Sequence, residues 1–233
     1  STSTTVTYTL TWASNQQVGG VGLPATNLSS TSTIRVRLYA TSDSSTALAD
    51  SGTISANGSQ QAQLWNWNTP INANSFAYGA QTKSAVWFDQ NYTVQKVVID
   101  LVDTSNAAGY IDCSRVVCGA YWSPKYGVSN GINYTLNDTT QNVRNDSGDL
   151  LSDRGFVHDQ LKFDFSVLVE QDKSALIQIF KGIGINKNIF VSLYPDNNSS
   201  MEQDYIIYGK RENEGFVNDY YGIYRHSMSI EGW

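Results

Sequence analysis

Two histidines, two cysteines and 21 acidic side chains are the residues of this chain that could carry acid–base, nucleophilic or metal chemistry. A Ser-His-Asp arrangement would have to use His158 or His226. Neither is accompanied by a G-x-S-x-G turn, the sharp bend that presents a nucleophilic serine. His158 follows Phe156 and Val157 at an apparent domain entry, and His226 falls inside an expected strand, so both read as structural. Cys113 and Cys118 lie in GYIDCSRVVCG, five residues apart. In a regular strand they would face opposite ways, and a disulfide would need a bulge or turn between them. Reduced, partly buried thiols are expected, in keeping with assembly in a reducing cytoplasm. A zinc site would need further ligands, and the histidines stand at no ligand spacing. NDSGDLLSD gathers Asp146, Asp149 and Asp153 but lacks the alternating acidic spacing and closing Glu of a calcium loop, so it reads as a polar turn. A glycosidase needs two carboxylates flanking a cleft. Here the acids sit mostly in turns, such as Asp43 and Asp50, or in the polar 138–153 region. The G-x-G of KGIGIN follows a helix instead of opening one, which is wrong for a phosphate cradle. The expectation is a protein with no catalytic residues, no metal and no cofactor.

Aromatic side chains offer more. Trp65 and Trp67 share a strand face in LWNW, with Phe76 and Tyr78 close behind. Such rings can stack on sugars, anchor a sandwich core or make a subunit contact. Because Trp is usually mostly buried, packing or an interface is the favoured reading. Trp65, Trp67 and Tyr78 are the candidate glycan or interface contacts. The whole chain leans the same way, with 15% charged residues against roughly 25% in ordinary soluble domains, and 14 tyrosines. Tyr and Trp provide stiff contact area at low entropic cost. A net charge of −6 with scattered Lys and Arg argues against nucleic acid and anionic membranes. No run approaches the roughly 18 apolar residues that span a bilayer. STSTTVTYTLTW has no basic stretch followed by an apolar one, so no signal peptide is expected. In a chain this rich in Asn, Ser and Thr, its eight Asn-X-Ser/Thr triplets are attributed to chance.

The elements that would position these residues are mostly strands. TIRVRLYA, residues 33–40, alternates cleanly, with Ile34, Val36, Leu38 and Ala40 on one face. Residues 5–12, 84–88, 94–102 and 110–118 are further strands, separated by Gly/Ser/Asn turns. From about 123 to 155 the chain is polar and poor in apolar residues, a long excursion or linker of the kind that is usually functional or wraps a partner. Beyond it LKFDFSVLV alternates as a strand. EQDKSALIQIFKG, residues 170–182, carries Leu176, Ile177 and Phe180 at helical spacing, acids at its start, and Lys181 and Gly182 at its end. Strands then resume in IFVSLYP, DYIIYGKR and YRHSMSIEGW. The expected fold is mainly β. An antiparallel sandwich (jelly-roll or galactose-binding-like) over 1–155, including the excursion, precedes a small α+β domain with one helix over 156–233.

The stretches VGLPATNLSSTSTIRVRLYA, ADSGTI and VVIDLVDTSNAAGYIDCSRVVCGAYWSP resemble the galactose-binding-like (discoidin-like) β-sandwich of tailed-bacteriophage tail structural proteins. Residues 161–233 are similar to the same proteins, through the helix near Glu170, FVSLYPD, YGKRE and the closing SMSIEGW. This resemblance implies a virion structural protein of the tail tip or baseplate, assembled in the host cytoplasm. Its partners would be other tail proteins and further copies of itself in a symmetric oligomer. The alternatives are a host-recognition module that binds a surface glycan through Trp65 or Trp67, and a polysaccharide-degrading enzyme.

Overall fold

A computed structural model describes residues 3–29, 31–57, 82–106, 108–195, 200–212 and 215–232. Among them the chain is mainly β, with antiparallel sheets and two helices. In chain order the elements are β1 (Thr5–Thr26), β2 (Thr33–Tyr39), β3 (Ala49–Asp50), β4 (Ile54–Ser55), β5 (Thr82–Val102) and β6 (Val117–Gly119). There follow β7 (Asn133–Asp138), β8 (Gln141–Arg144), β9 (Leu150–Asp153), β10 (Val157–Val169) and α1 (Glu170–Ile183). The chain closes with β11 (Ile189–Ser192), α2 (Ser200–Tyr205), β12 (Ile206–Arg211), β13 (Phe216–Tyr220) and β14 (Ile223–Gly232).

Two compact units result. The first takes Ser1–Trp122 with Ser192–Ile206, the second Ser123–Val191 with Ile207–Trp233. The units therefore divide at 122/123, not at the 155 expected from composition. The polar excursion belongs to the second unit because its strand β7 pairs with β10 from Val157↔Asp138 to Lys162↔Asn133.

In the first unit the sheet order is β3-β2-β5-β1-β6, with β4 also on β2. Strict alternation dictates its inner face. Ile34, Val36 and Leu38 lie opposite Leu101, Ile99 and Val97, which lie opposite Val6, Tyr8 and Leu10. The first six are fully buried. On the outer face Asp100 accepts from Thr7 Oγ1 at 2.8 Å and Arg37 Nη2 at 2.5 Å, so the polar residues of three neighbouring strands neutralise one another. The β1–β5 ladder shifts register at Thr11/Gln16 and Val18/Gly20. Val18, Val21, Leu23, Val86 and Phe88, past those shifts, join the same core cluster as Ile34 and Leu101. One bent ladder thus encloses one core in a sandwich-like manner.

The strands expected at 84–88 and 94–102 form a single strand, because Tyr92 and Thr93 between them still pair with Val18 and Gln17. The strand expected at 110–118 shrinks to Val117–Gly119. Upstream, the Asn27 side chain takes over the role of a neighbouring strand. It donates to the Tyr110 carbonyl at 2.9 Å and accepts from the Asp112 amide at 2.7 Å.

In the second unit the order is β11-β12-β14-β10-β7, with β13 on the edge of β14. Leu161, Phe163 and Phe165 face Ile230, Met228 and His226, and all six are buried. Helix α1 covers this face with Leu176 and Phe180, four residues apart on one side. Glu170 and Asp172 occupy its first turn and Lys181 its last, matching the helix dipole. Gly182, the expected terminator, lies within the helix. The stop comes at Gly184, whose φ of +61° suits a residue without Cβ and whose N–H returns to Phe180 O at 2.8 Å. Arg211 closes the end, donating to the Gly184 carbonyl at 2.9 Å with its guanidinium over the Phe180 ring. A second, short helix, α2, has no counterpart in the sequence reading.

Candidate assembly surface

The least covered part of the second unit is the segment expected to be a structureless polar stretch. Residues 133–169 form one long hairpin. Its base is the β7–β10 pair and its end is the separate β8–β9 ribbon, paired from Gln141↔Asp153 to Arg144↔Leu150. The ribbon closes through NDSGD, where Asn145 N donates to Asp149 O at 3.0 Å and Asp149 N to Asn145 Oδ1 at 2.8 Å. Asp146 and Asp149 thus sit in the closing turn of the hairpin, whereas Asp153 lies at the other end of the ribbon, at the end of β9 opposite Gln141.

Base and ribbon meet at a neck that the structure holds closely. Thr139 N donates to Phe156 O at 3.0 Å, Phe156 N to Thr139 Oγ1 at 2.8 Å, and Gly155 N to Thr140 Oγ1 at 3.1 Å. A Cβ on Gly155 would lie 2.4 Å from the Thr139 carbonyl carbon, so only glycine lets the two chains approach this far. Beside the neck is a groove of about 460 Å³ lined by Asp138, Thr140, Arg154, Gly155, Phe156 and Val157.

Every residue of β8 and β9 is exposed. Yet the hairpin carries large apolar side chains: Leu136 is 61% exposed, Val143 62%, Leu150 57%, Leu151 58%, Phe156 83% and Val157 60%. Val143 and Leu151 are direct cross-strand partners and so project from one face of the ribbon. Leu136 and Val157 continue the row of Leu161 and Phe163 beyond the part of the sheet that is covered. A two-stranded ribbon alone in water is marginal at best. A group of exposed large apolar side chains on one hairpin marks an interaction site far more than a lone exposed leucine does. The turn between β13 and β14 adds two exposed tyrosines, Tyr220 and Tyr221.

The residues singled out for chemistry are scattered. His158 Nε2 pairs with Glu231 Oε1 at 3.0 Å. His226 is buried, stacked on Phe216 with ring centres 4.4 Å apart, and its Nδ1 is 3.2 Å from Gly215 O. Burial holds its pKa below the ordinary value, the nearby Arg211 charge adding to the effect. Cys113 and Cys118 are free and half-buried, and desolvation raises both thiols. Asp50 is tied to Arg35 at 2.6 Å, a bond that lowers the carboxyl's pKa. Among the described residues no three His, Cys, Asp or Glu side chains stand together as a metal site. Trp65, Trp67, Phe76 and Tyr78 lie outside the described residues.

Two buried carboxylates in the first unit escaped the sequence reading. Asp103 accepts from Ser29 N at 2.7 Å, Ser29 Oγ at 2.5 Å and Asn106 Nδ2 at 3.1 Å. Glu202, on α2, accepts from Trp87 Nε1 and Ser192 Oγ, both at 2.8 Å. The neighbouring Gln203 bonds both main-chain groups of Lys83, whose Nζ donates to Ile206 O at 2.8 Å. These bonds hold the 192–206 segment to β5. Asp103 accepts on both oxygens and Glu202 accepts two bonds on Oε1, all from structural donors, which is the arrangement of a brace.

Comparison with known proteins finds no matching family model, no matching curated protein and no matching solved structure.

Proposed function

We propose that this chain is a structural subunit of a bacteriophage tail, in the tip or baseplate region, that works by protein–protein assembly and performs no catalysis. The observation that carries the reading is the exposed hairpin at 133–169, which sends apolar side chains into solvent at its base, neck and ribbon. Low charge and abundant tyrosine support it, since interfaces are depleted in charge and rich in aromatics. The resemblance of the sandwich stretches and of residues 161–233 to tail proteins supplies the setting.

Quantitative mass spectrometry of purified particles of the encoding phage tests the proposal. The expected result is this chain in several copies per particle, retained through washing at high salt. Its absence from particles overturns the reading. Binding to a glycan array, lost in Trp67→Ala with the fold retained, would move the assignment to a host-recognition module.

A further inference from the structure

We infer that Asn130 is a self-modifying site, at which the Gly131 main-chain nitrogen attacks the Asn130 side chain and converts it, through a cyclic imide, to aspartate and isoaspartate. The inference is independent of the assembly reading above. The chain contains two Asn-Gly pairs, Asn57-Gly58 and Asn130-Gly131. Asparagine before glycine is a labile context, because glycine has no side chain to crowd its nitrogen while a five-membered ring closes. Sequence nominates both pairs, and the fold separates them. Asn57 is fully buried, and its Nδ2 donates to Ser29 O at 2.7 Å and to Leu28 O and Ser32 Oγ, both at 3.2 Å. That amide is clamped away from water. Asn130 and Gly131 are both exposed. Among the described residues, neither the Asn130 side-chain amide nor the Gly131 N–H has a hydrogen-bond partner. Electrophile and nucleophile are therefore both free and open to solvent.

The local backbone supplies the room. Ser129 N donates to Asp164 O at 2.7 Å, and Ser129 Oγ accepts from Ser166 N at 2.9 Å. Asn133 lies opposite Lys162 at the start of β7. Residues 130, 131 and 132 thus bridge a gap that Phe163 alone fills on β10, and the surplus loops outward. Gly131 takes a φ of +100° in this loop, and a Cβ built on it meets nothing within 4 Å. The ring can close there while the anchors at Ser129 and Asn133 keep the surrounding strands in place.

In the first step the Gly131 nitrogen gives its proton to base and bonds to Asn130 Cγ. The Cγ–Nδ2 bond breaks, and ammonia leaves after taking up a proton. Water then opens the imide at one of two bonds. Breaking the nitrogen–Cγ bond gives aspartate. Breaking the bond from nitrogen to the Asn130 main-chain carbonyl carbon gives isoaspartate, whose main chain runs through Cγ. Water is the only co-reactant. Each conversion adds one carboxylate, which takes the formal charge of the chain from −6 to −7.

The full chain, incubated in mildly alkaline buffer and followed by ion exchange and peptide mapping, tests the inference. In the native protein Asn130 should convert at least ~10-fold faster than Asn57, which must wait for its buried turn to open. In concentrated urea the two rates should converge, since both asparagines then share the same local context. Asn130→Gln should lower conversion at this position at least ~10-fold, because its longer side chain closes a larger ring less readily, and should remove the main acidic species. The native-against-urea comparison uses the parent chain alone and so holds even if that variant misfolds. Equal native rates at the two sites, an Asn130 that converts in urea but not in the native chain, or an Asn130→Gln chain that keeps the acidic species overturns the inference.

Discussion

Asp103→Ala tests whether the first unit depends on its buried polar brace as strongly as the geometry says. The carboxylate is 1% exposed and accepts three hydrogen bonds. Two donors have a second partner, since Asn106 Nδ2 also reaches Asn27 O at 2.9 Å and Ser29 Oγ lies 3.1 Å from Thr31 Oγ1. The Ser29 amide points at Asp103 Oδ2 at 2.7 Å from within a buried turn. Truncation leaves that N–H without its acceptor, at a cost of about 1–3 kcal/mol, and removes two bonds to a charged acceptor. A total of about 3–4 kcal/mol follows, a large fraction of the ~5–15 kcal/mol that stabilises a typical domain. Asp103→Asn keeps the shape but turns one acceptor into a donor, and should cost about half as much. The assay is urea unfolding followed by tryptophan fluorescence, which reports mainly on the first unit because five of the six tryptophans precede residue 123. The expected change is a lower midpoint at unchanged slope. An Asp103→Ala chain within about 1 kcal/mol of the parent would refute the reasoning, because a satisfied buried carboxylate cannot be removed so lightly.

Three further outcomes follow from the same geometry. Gly209→Ala would put a Cβ 1.9 Å from the Glu231 carbonyl oxygen, so the β12–β14 ladder must open; a loss of about 2 kcal/mol or more is expected in the unfolding of the second unit by circular dichroism. Burial lowers the folded-state pKa of His226, so its unfolded form binds the proton more readily; stability is complete above the ordinary value of 6.5 and falls as pH drops through the window down to the folded value. His226→Phe, which keeps a ring against Phe216 and Phe180, should flatten that slope in pH-resolved thermal melts. Glu202→Leu removes the acceptor of Trp87 Nε1 and Ser192 Oγ, and hydrogen exchange over 192–206 should accelerate at least ~10-fold, the equivalent of about 1.4 kcal/mol.

Much of the fold was legible where one local pattern decides the outcome. The alternation in TIRVRLYA predicts β2 and its buried face, since its partners on β5 alternate in step. Leu176 and Phe180 likewise announce α1 and its covered side. What local pattern misses is set at long range. DQNYT reads as a break between two strands, but β1 supplies partners across it and β5 runs through. Residues 110–118 read as a strand, but the strand is Val117–Gly119, and the main chain upstream of it bonds the Asn27 side chain, Ser3 and Ala25, all more than 80 positions earlier. Glu202 looks like an ordinary surface acid, and its partner Trp87 is 115 residues away. The hairpin was hidden for a different reason. Its apolar residues are diluted by Asn, Asp and Thr, so composition suggests a loop, and only the register of β7 on β10 and β8 on β9 reveals a ribbon. The candidate surface was therefore expected as a partner-wrapping stretch but not as a defined element. The candidate glycan or interface residues Trp65, Trp67 and Tyr78 lie outside the described residues.

A cryo-EM map of purified tails, with this chain located by its 25.7 kDa mass and sandwich outline, tests assembly through the hairpin most directly. The account predicts several symmetry-related copies in the tip or baseplate, with residues 133–169 buried against neighbouring protein. A tail without the chain, or copies whose hairpins all stand free in solvent, would contradict it.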